Sequence, residues 1–118
     1  MKMFVDVIQV YLYCHTVDFR KAINGLSLIV EQEMDLPLFS ECLFVFCNRG
    51  RDKIKILYWD RSGFCLWQKR LEKEHFKWPK LSAGNSMVIN EEQLHWLLQG
   101  VDISQIKLHK TLHYERIN

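Results

Sequence analysis

The chain has 118 residues, 48% of them hydrophobic and 25% charged, with a formal net charge of +2. That composition fits one globular domain with a real core and excludes a disordered polyelectrolyte; no apolar run approaches the ~18 residues of a membrane span. The charge is unevenly spread: residues 49–80 hold ten basic side chains against four acidic ones, leaving +6, so the remainder sums to −4. Such asymmetry fits either a polyanionic partner or a solvated edge.

Four cysteines, Cys14, Cys42, Cys47 and Cys65, form no CxxC pair. Three lie in apolar or strand-like runs, where a free thiol behaves as a small hydrophobe. Residues 1–19 contain neither a sustained apolar core nor a small-residue cleavage site. A reduced, cytoplasmic protein without disulfides is expected.

In chain order, residues 1–8 read as a loosely tied start. Residues 9–14 alternate Val10, Leu12 and Cys14 against Tyr11 and Tyr13, the period of a strand. Thr16 is the expected N-cap of a helix with Asp18 in its first turn. Phe19, Ala22, Ile23, Leu26, Ile29 and Val30 give that helix one apolar face, and Gly25 would let it approach the sheet closely. The helix should fade at Met34 and end at Asp35, Leu36 and Pro37.

Residues 43–47 are continuously apolar, the mark of a central strand covered on both faces. Residues 48–52 form a polar hairpin loop, and 53–59 alternate as a second strand. Asp60-Arg61-Ser62-Gly63 is a tight-turn signal, and 64–71 return as a third strand. A type I turn with a glycine bulge would set Asp60 opposite Phe64, Lys55 opposite Lys69 and Leu57 opposite Trp67. One face then carries Ile54, Ile56, Tyr58, Phe64 and Leu66 under the helix; the other carries Lys53, Lys55, Lys69, Trp59 and Trp67. Like charges directly opposite are unfavourable, so a Lys55–Lys69 pair would call for an anion or an offset.

Phe76, Trp78 and Pro79 are expected to fold back as an apolar clamp, followed by a loop over 81–86. Asn90 and Gln93 spell a capping box, Leu94, Leu97 and Leu98 give a short apolar stripe, and Gly100 supplies the stop. Residues 103–118 are a tail of mixed character. The expected fold is α+β: one domain over residues 1–118, a mainly antiparallel sheet with a β-α-β-β-β core and a C-terminal helix. Whether the first strand joins residues 43–47 in parallel is open.

No glycine-rich phosphate loop is present. His15, His75 and His95 are scattered; His109 and His113 are four apart but have no acidic ligand cluster, so no metal site is expected. The acids fall at caps, turns and helix exteriors, away from the convergence that metal-assisted phosphoryl chemistry needs. Cys14 and His15 are strand neighbours pointing to opposite faces, which argues against a dyad. Neither enzymatic activity nor a cofactor is expected. What remains is the basic, aromatic sheet face. Arg49, Arg51, Lys53, Lys55, Arg61, Lys69 and Arg70 are the candidate phosphate contacts. Trp59, Trp67 and Trp78 are the candidate anchors for a protein partner. In the alternative reading Trp59 and Trp67 simply pack under the second helix or the clamp, with lysines at the rim.

The run Thr16-Val17-Asp18-Phe19-Arg20-Lys21 followed by Gly25-Leu26 resembles the signature of the insertion-sequence-66 family Orf2 proteins. Leu43-Phe44-Val45-Phe46, Asn48-Arg49-Gly50-Arg51-Asp52 and Lys55-Ile56-Leu57-Tyr58-Trp59-Asp60 continue it. Gly63, Leu66, Lys69-Arg70-Leu71-Glu72, Phe76, Trp78-Pro79, Gln93-Leu94, Leu97-Leu98 and Gly100-Val101-Asp102 follow in order. The resemblance spans residues 10–102 and leaves the tail 103–118 without a family pattern. Ala22 stands where the family often has another small residue, and the 48–52 loop is poorer in arginine than is common. The resemblance implies a non-enzymatic accessory protein of a bacterial insertion sequence, working beside a separate transposase and touching DNA, at the element ends, through the basic face. The alternative it leaves is an adaptor that holds the transposase or another accessory protein without contacting DNA. No membrane association is implied.

Overall fold

A computed structural model describes residues 9–80 and 84–104. The start over 1–8, most of the tail with His109 and His113, and part of the 81–86 loop lie outside the described residues. Five strands form one sheet in the order β4-β3-β2-β1-β5, with β1 at Gln9–Val17, β2 at Cys42–Asn48, β3 at Lys53–Asp60, β4 at Gly63–Arg70 and β5 at Ser86–Ile89. The β1–β2 pair is parallel and the others are antiparallel. The parallel pair requires a crossover, supplied by α1 (Ile23–Leu28) and a π-helical continuation over Ile29–Met34. A second helix, α2 (Glu91–Leu98), covers the opposite face. The result is the expected α+β fold, with a fifth strand that residues 81–90 did not announce.

Both faces of the sheet are buried. Val10, Leu12, Leu43, Val45, Ile54 and Ile56 pack with Leu94, Leu97 and Leu98 of α2 and with Phe76 and Trp78 of the clamp. Tyr13, Phe44, Phe46 and Leu57 pack with Leu26, Ile29 and Val30 of the crossover. Every residue of 42–47 is buried, as its unbroken apolar run implies. The clamp and the capping box are as expected: Asn90 accepts from the Gln93 N–H at 2.7 Å, and Gln93 accepts from the Asn90 N–H at 2.9 Å. Gly100 closes α2 at φ 87°, where a side chain would be strained.

Three local expectations are corrected. Thr16 lies inside β1, which runs on to Val17, so the helix starts at Ile23 with Ala22 as an N-cap that makes no side-chain bond. Gly25 faces the Lys21 side chain, not the sheet. The β3–β4 connection is a two-residue turn with Asp60 opposite Gly63, and Arg61 takes the left-handed conformation at φ 51°. That shift of one residue turns β4 over relative to β3. Lys55 pairs with Gln68, Ile54 with Lys69 and Ile56 with Trp67. The Lys55–Lys69 opposition therefore does not occur, and the two lysines project from opposite faces.

β1 carries an irregularity of its own. Leu12 pairs with Val45 but Thr16 with Cys47, so the chain bulges between them. The bulge withdraws the Tyr13 carbonyl from the ladder. The Trp78 indole N–H donates to it at 3.0 Å in a buried position. On the other side the Tyr13 hydroxyl donates to Glu33 at 2.6 Å, at the end of the π-helical turn. Replacing Trp78 with Phe keeps the ring but orphans that carbonyl, so stability should fall by about 1–3 kcal/mol. A urea titration checks this: the midpoint should drop with the m-value unchanged.

Candidate nucleic-acid interface

The β2–β3 connection is built around Asn48. Its side-chain oxygen accepts from the Asp52 N–H at 3.2 Å and the Lys53 N–H at 3.0 Å, while its amide donates to the Asp52 carboxylate at 2.7 Å. The Asn48 amide keeps the Asp52 carboxyl below its ordinary range. Asp52 is thus turned inward as a structural acceptor. Arg49 and Arg51 are left exposed, Arg51 on a left-handed backbone at φ 59°.

The segment after β4 is tied to this loop. The Leu71 N–H donates to the Asp52 carbonyl at 2.8 Å and the Phe76 N–H to the Arg51 carbonyl at 2.6 Å. His75 Nδ1 lies 2.7 Å from the Gly50 carbonyl, which can only accept, so this nitrogen carries the proton. Lys53 pairs with Arg70 across β3–β4. Arg70 makes a 3.0 Å ion pair with Glu72 at the surface.

The end of β1 arrives at the same place, because Val17 pairs with Asn48. Here Lys55 matters. Its side chain is 7% exposed, and its ammonium donates to the carbonyls of Phe19 at 2.9 Å and Lys21 at 2.8 Å. It also sits 4.8 Å from the centroid of the Phe19 ring. Burial, with Lys53 nearby as a smaller cause, pulls its pKa below the ordinary lysine value. The loop so held carries Arg20, 91% exposed and paired with Asp18 at 2.6 Å, and the exposed Lys21, whose side chain lies against Gly25.

Three segments therefore meet at one end of the sheet: 18–21, 49–53 and 70–74. They carry Arg20, Lys21, Arg49, Arg51, Lys53, Arg70 and Lys73 against Asp18, Asp52, Glu72 and Glu74, seven bases to four acids and a local +3. Of the seven basic residues singled out in the sequence, Arg49, Arg51, Lys53 and Arg70 come together here. Lys55 lies beneath as a brace. Lys69 is on the opposite face, donating to the Leu98 carbonyl at 2.8 Å, where it closes the C-terminus of α2. Arg61 is at the far tip of the hairpin, seven residues along β3 and so about 23 Å away.

The three tryptophans separate too. Trp78 is buried, Trp67 packs on the α2 side, and Trp59 lies on the α1 side against Phe64. Arg20, Lys21 and Lys73 are not among the candidate phosphate contacts read from the sequence. The Thr16–Lys21 signature was the signal available for the first two.

Cys14 and His15 are engaged separately, Cys14 with the Gly84 carbonyl at 3.1 Å and His15 with Asn85 at 3.0 Å. Burial pushes the Cys47 thiol up to about 12, away from nucleophile chemistry. Among the described residues no three His, Cys, Asp or Glu side chains are grouped to hold a metal, and no helix is long and apolar enough to cross a membrane.

The described residues define a small protein with a five-stranded mixed sheet, a helical layer on each face and a basic end. The chain belongs to the family described as IS66 Orf2 like protein, which matches residues 8–108. That family is a transposition-associated accessory component of insertion sequences. Two similar proteins come from Sinorhizobium fredii (strain NBRC 101917 / NGR234). One, uncharacterized protein y4hO, is 33% identical over 95 residues, covering 80% of this chain and 82% of its own. The other, uncharacterized protein y4jC, is 29% identical over 100 residues, covering 85% of each. No solved structure matches.

Two measurements check this site. Arg20, through its hydrogen bonds, holds the Asp18 carboxyl down at about 2. A carboxyl whose folded pKa lies below its unfolded value favours the fold above about 3.9 and loses that contribution as pH falls through the folded value, and for this exposed, solvent-screened pair the contribution is small. A carbon-13 titration should find the Asp18 midpoint near 2, and Arg20→Gln should return it to the ordinary carboxylate range. Replacing Lys55 with Met removes two charge-assisted bonds to the Phe19 and Lys21 carbonyls and should cost about 2–3 kcal/mol in denaturant unfolding. It should also speed amide exchange in residues 18–21 selectively.

Proposed function

We propose that this protein is a non-enzymatic transposition accessory factor that contacts DNA through the basic end of its sheet. Arg49, Arg51, Lys53 and Arg70 are its central contacts, flanked by Arg20, Lys21 and Lys73. The observation that carries this reading is the convergence of 18–21, 49–53 and 70–74 on one edge. There the loop's acid, Asp52, is held by the Asn48 amide while its two arginines stay exposed. Exposed guanidinium groups on a tethered loop suit phosphate oxygens, which they contact bidentately. The Asp18–Arg20 and Arg70–Glu72 pairs are exposed and contribute little to stability, so a phosphate can take over either arginine at low cost. The family supports the setting: an accessory protein of an insertion sequence acts where element DNA and transposase are assembled.

In this reading Lys55 and Lys69 serve by holding the 18–21 loop and the α2 terminus, and Arg61 stands outside the interface. The roles are separable. In a gel-shift salt series with element-end DNA, Arg49→Ala/Arg51→Ala/Lys53→Ala should lower affinity strongly and reduce the salt slope by about 3, one per lost phosphate contact. Arg61→Ala should leave both unchanged. An unchanged slope in the triple variant would remove the phosphate contacts from this loop.

A further inference from the structure

Residues 73–80 form a strap that leaves β4 at the basic end and crosses the α2 face of the sheet toward β1. It is pinned twice. The Phe76 N–H donates to the Arg51 carbonyl at 2.6 Å and His75 Nδ1 donates to the Gly50 carbonyl at 2.7 Å, which ties the strap to the loop before β3. The Trp78 indole N–H donates to the Tyr13 carbonyl at 3.0 Å, which ties it to β1. Strands β3 and β1 flank β2, so the two ties stand about two inter-strand spacings apart, about 10 Å. Phe76 and Trp78 are also sunk in the core, 1% and 7% exposed. Lys77 is the residue between them.

With its apolar side chains fixed inward, the strap holds its polar ones outward. His75, Lys77 and Lys80 are exposed, as is Lys73 at its start. The strap has three lysines and one acid, Glu74. A Cβ on Gly100 would meet the Glu74 carboxylate at 3.7 Å, so this acid leans toward the end of α2. Among the described residues none of the three lysines is in an ion pair. A row of ammonium groups on a segment that the core already holds still suits a polyanion, because each contact releases a counterion and little of the strap has to be ordered.

We infer that Lys77 and Lys80 carry the DNA contact of the Arg49–Lys53 loop onward across the strap, so that the phosphate backbone runs across the strand ends from β4 toward β1. The inference rests on the reading of the basic end as a DNA contact and gives that contact a direction. From Arg70 on β4 to the Tyr13 tie on β1 is three inter-strand spacings, about 14 Å. One strand of a duplex advances about 3.4 Å along its axis per phosphate, so the row spans about four phosphates. The strap then has two uses: Phe76 and Trp78 close the core, and the lysines between and beyond them hold the ligand.

The test uses the full chain and a short element-end duplex in a gel-shift salt series. Lys77→Ala/Lys80→Ala should weaken binding and lower the salt slope by about 2, one per lost phosphate contact. Lys77→Arg/Lys80→Arg should keep the wild-type slope, which a loss through misfolding would not. Both side chains are exposed, so the urea midpoint of the alanine variant should stay at the wild-type value. Adding Arg49→Ala/Arg51→Ala/Lys53→Ala to it should lower the slope by about 5 in all. An unchanged slope in the strap variant, beside a lowered one in the loop variant, overturns the inference and leaves DNA binding at the loop standing. A wild-type chain that does not shift the duplex overturns both.

Discussion

The Lys55 ammonium is the interaction on which the functional end depends. It rises from the middle of a buried strand and reaches two carbonyls of the β1–α1 connection, Phe19 and Lys21. A lone buried cation is costly, and burial does pull its pKa down. Two carbonyl acceptors and the Phe19 ring offset that cost. They tether the loop to the sheet beyond Val17, where Phe19 also packs against the α1-side core. With them, the 18–21 segment is held at the end of the sheet where Val17 pairs with Asn48.

Lys69 repeats the device on the other face, where it closes the C-terminus of α2 at Leu98. The two lysines that would have strained a hairpin face are instead the bolts that join each helical layer to the sheet. A one-residue change in register makes the difference, since it carries Lys69 and Trp67 to the face opposite Lys55. Basic loops gather at one end of the β3–β4 hairpin, and Phe39, Trp59 and Phe64 meet at the other.

Much of this was legible in the sequence. The unbroken apolar run of 43–47 marked a strand covered on both sides, Asn90 with Gln93 marked a helix start, and Phe76 with Trp78 marked a clamp. Each rests on a local pattern with a local cause. The register of β4 was not legible, because Asp60-Arg61-Ser62-Gly63 suits either a glycine bulge or a two-residue turn with Arg61 left-handed, and the sequence has no term for the packing that decides. The helix start failed for a related reason. Thr16 is a good N-cap by type, but pairing of Val17 with Asn48 holds it in the strand. Phe39 gave no signal at all, since an isolated aromatic after Pro37 has no period; its neighbours come from β3 and β4.

The central claim is that DNA meets one end of this molecule and not the other. Chemical-shift mapping of the nitrogen-15-labelled chain during titration with a short element-end duplex tests it most directly. The account expects the largest changes at residues 18–21, 49–53 and 70–75, with Phe39, Trp59, Arg61 and Phe64 still. Changes centred on Arg61 and the aromatic cluster, with the Arg49 loop unmoved, would contradict it.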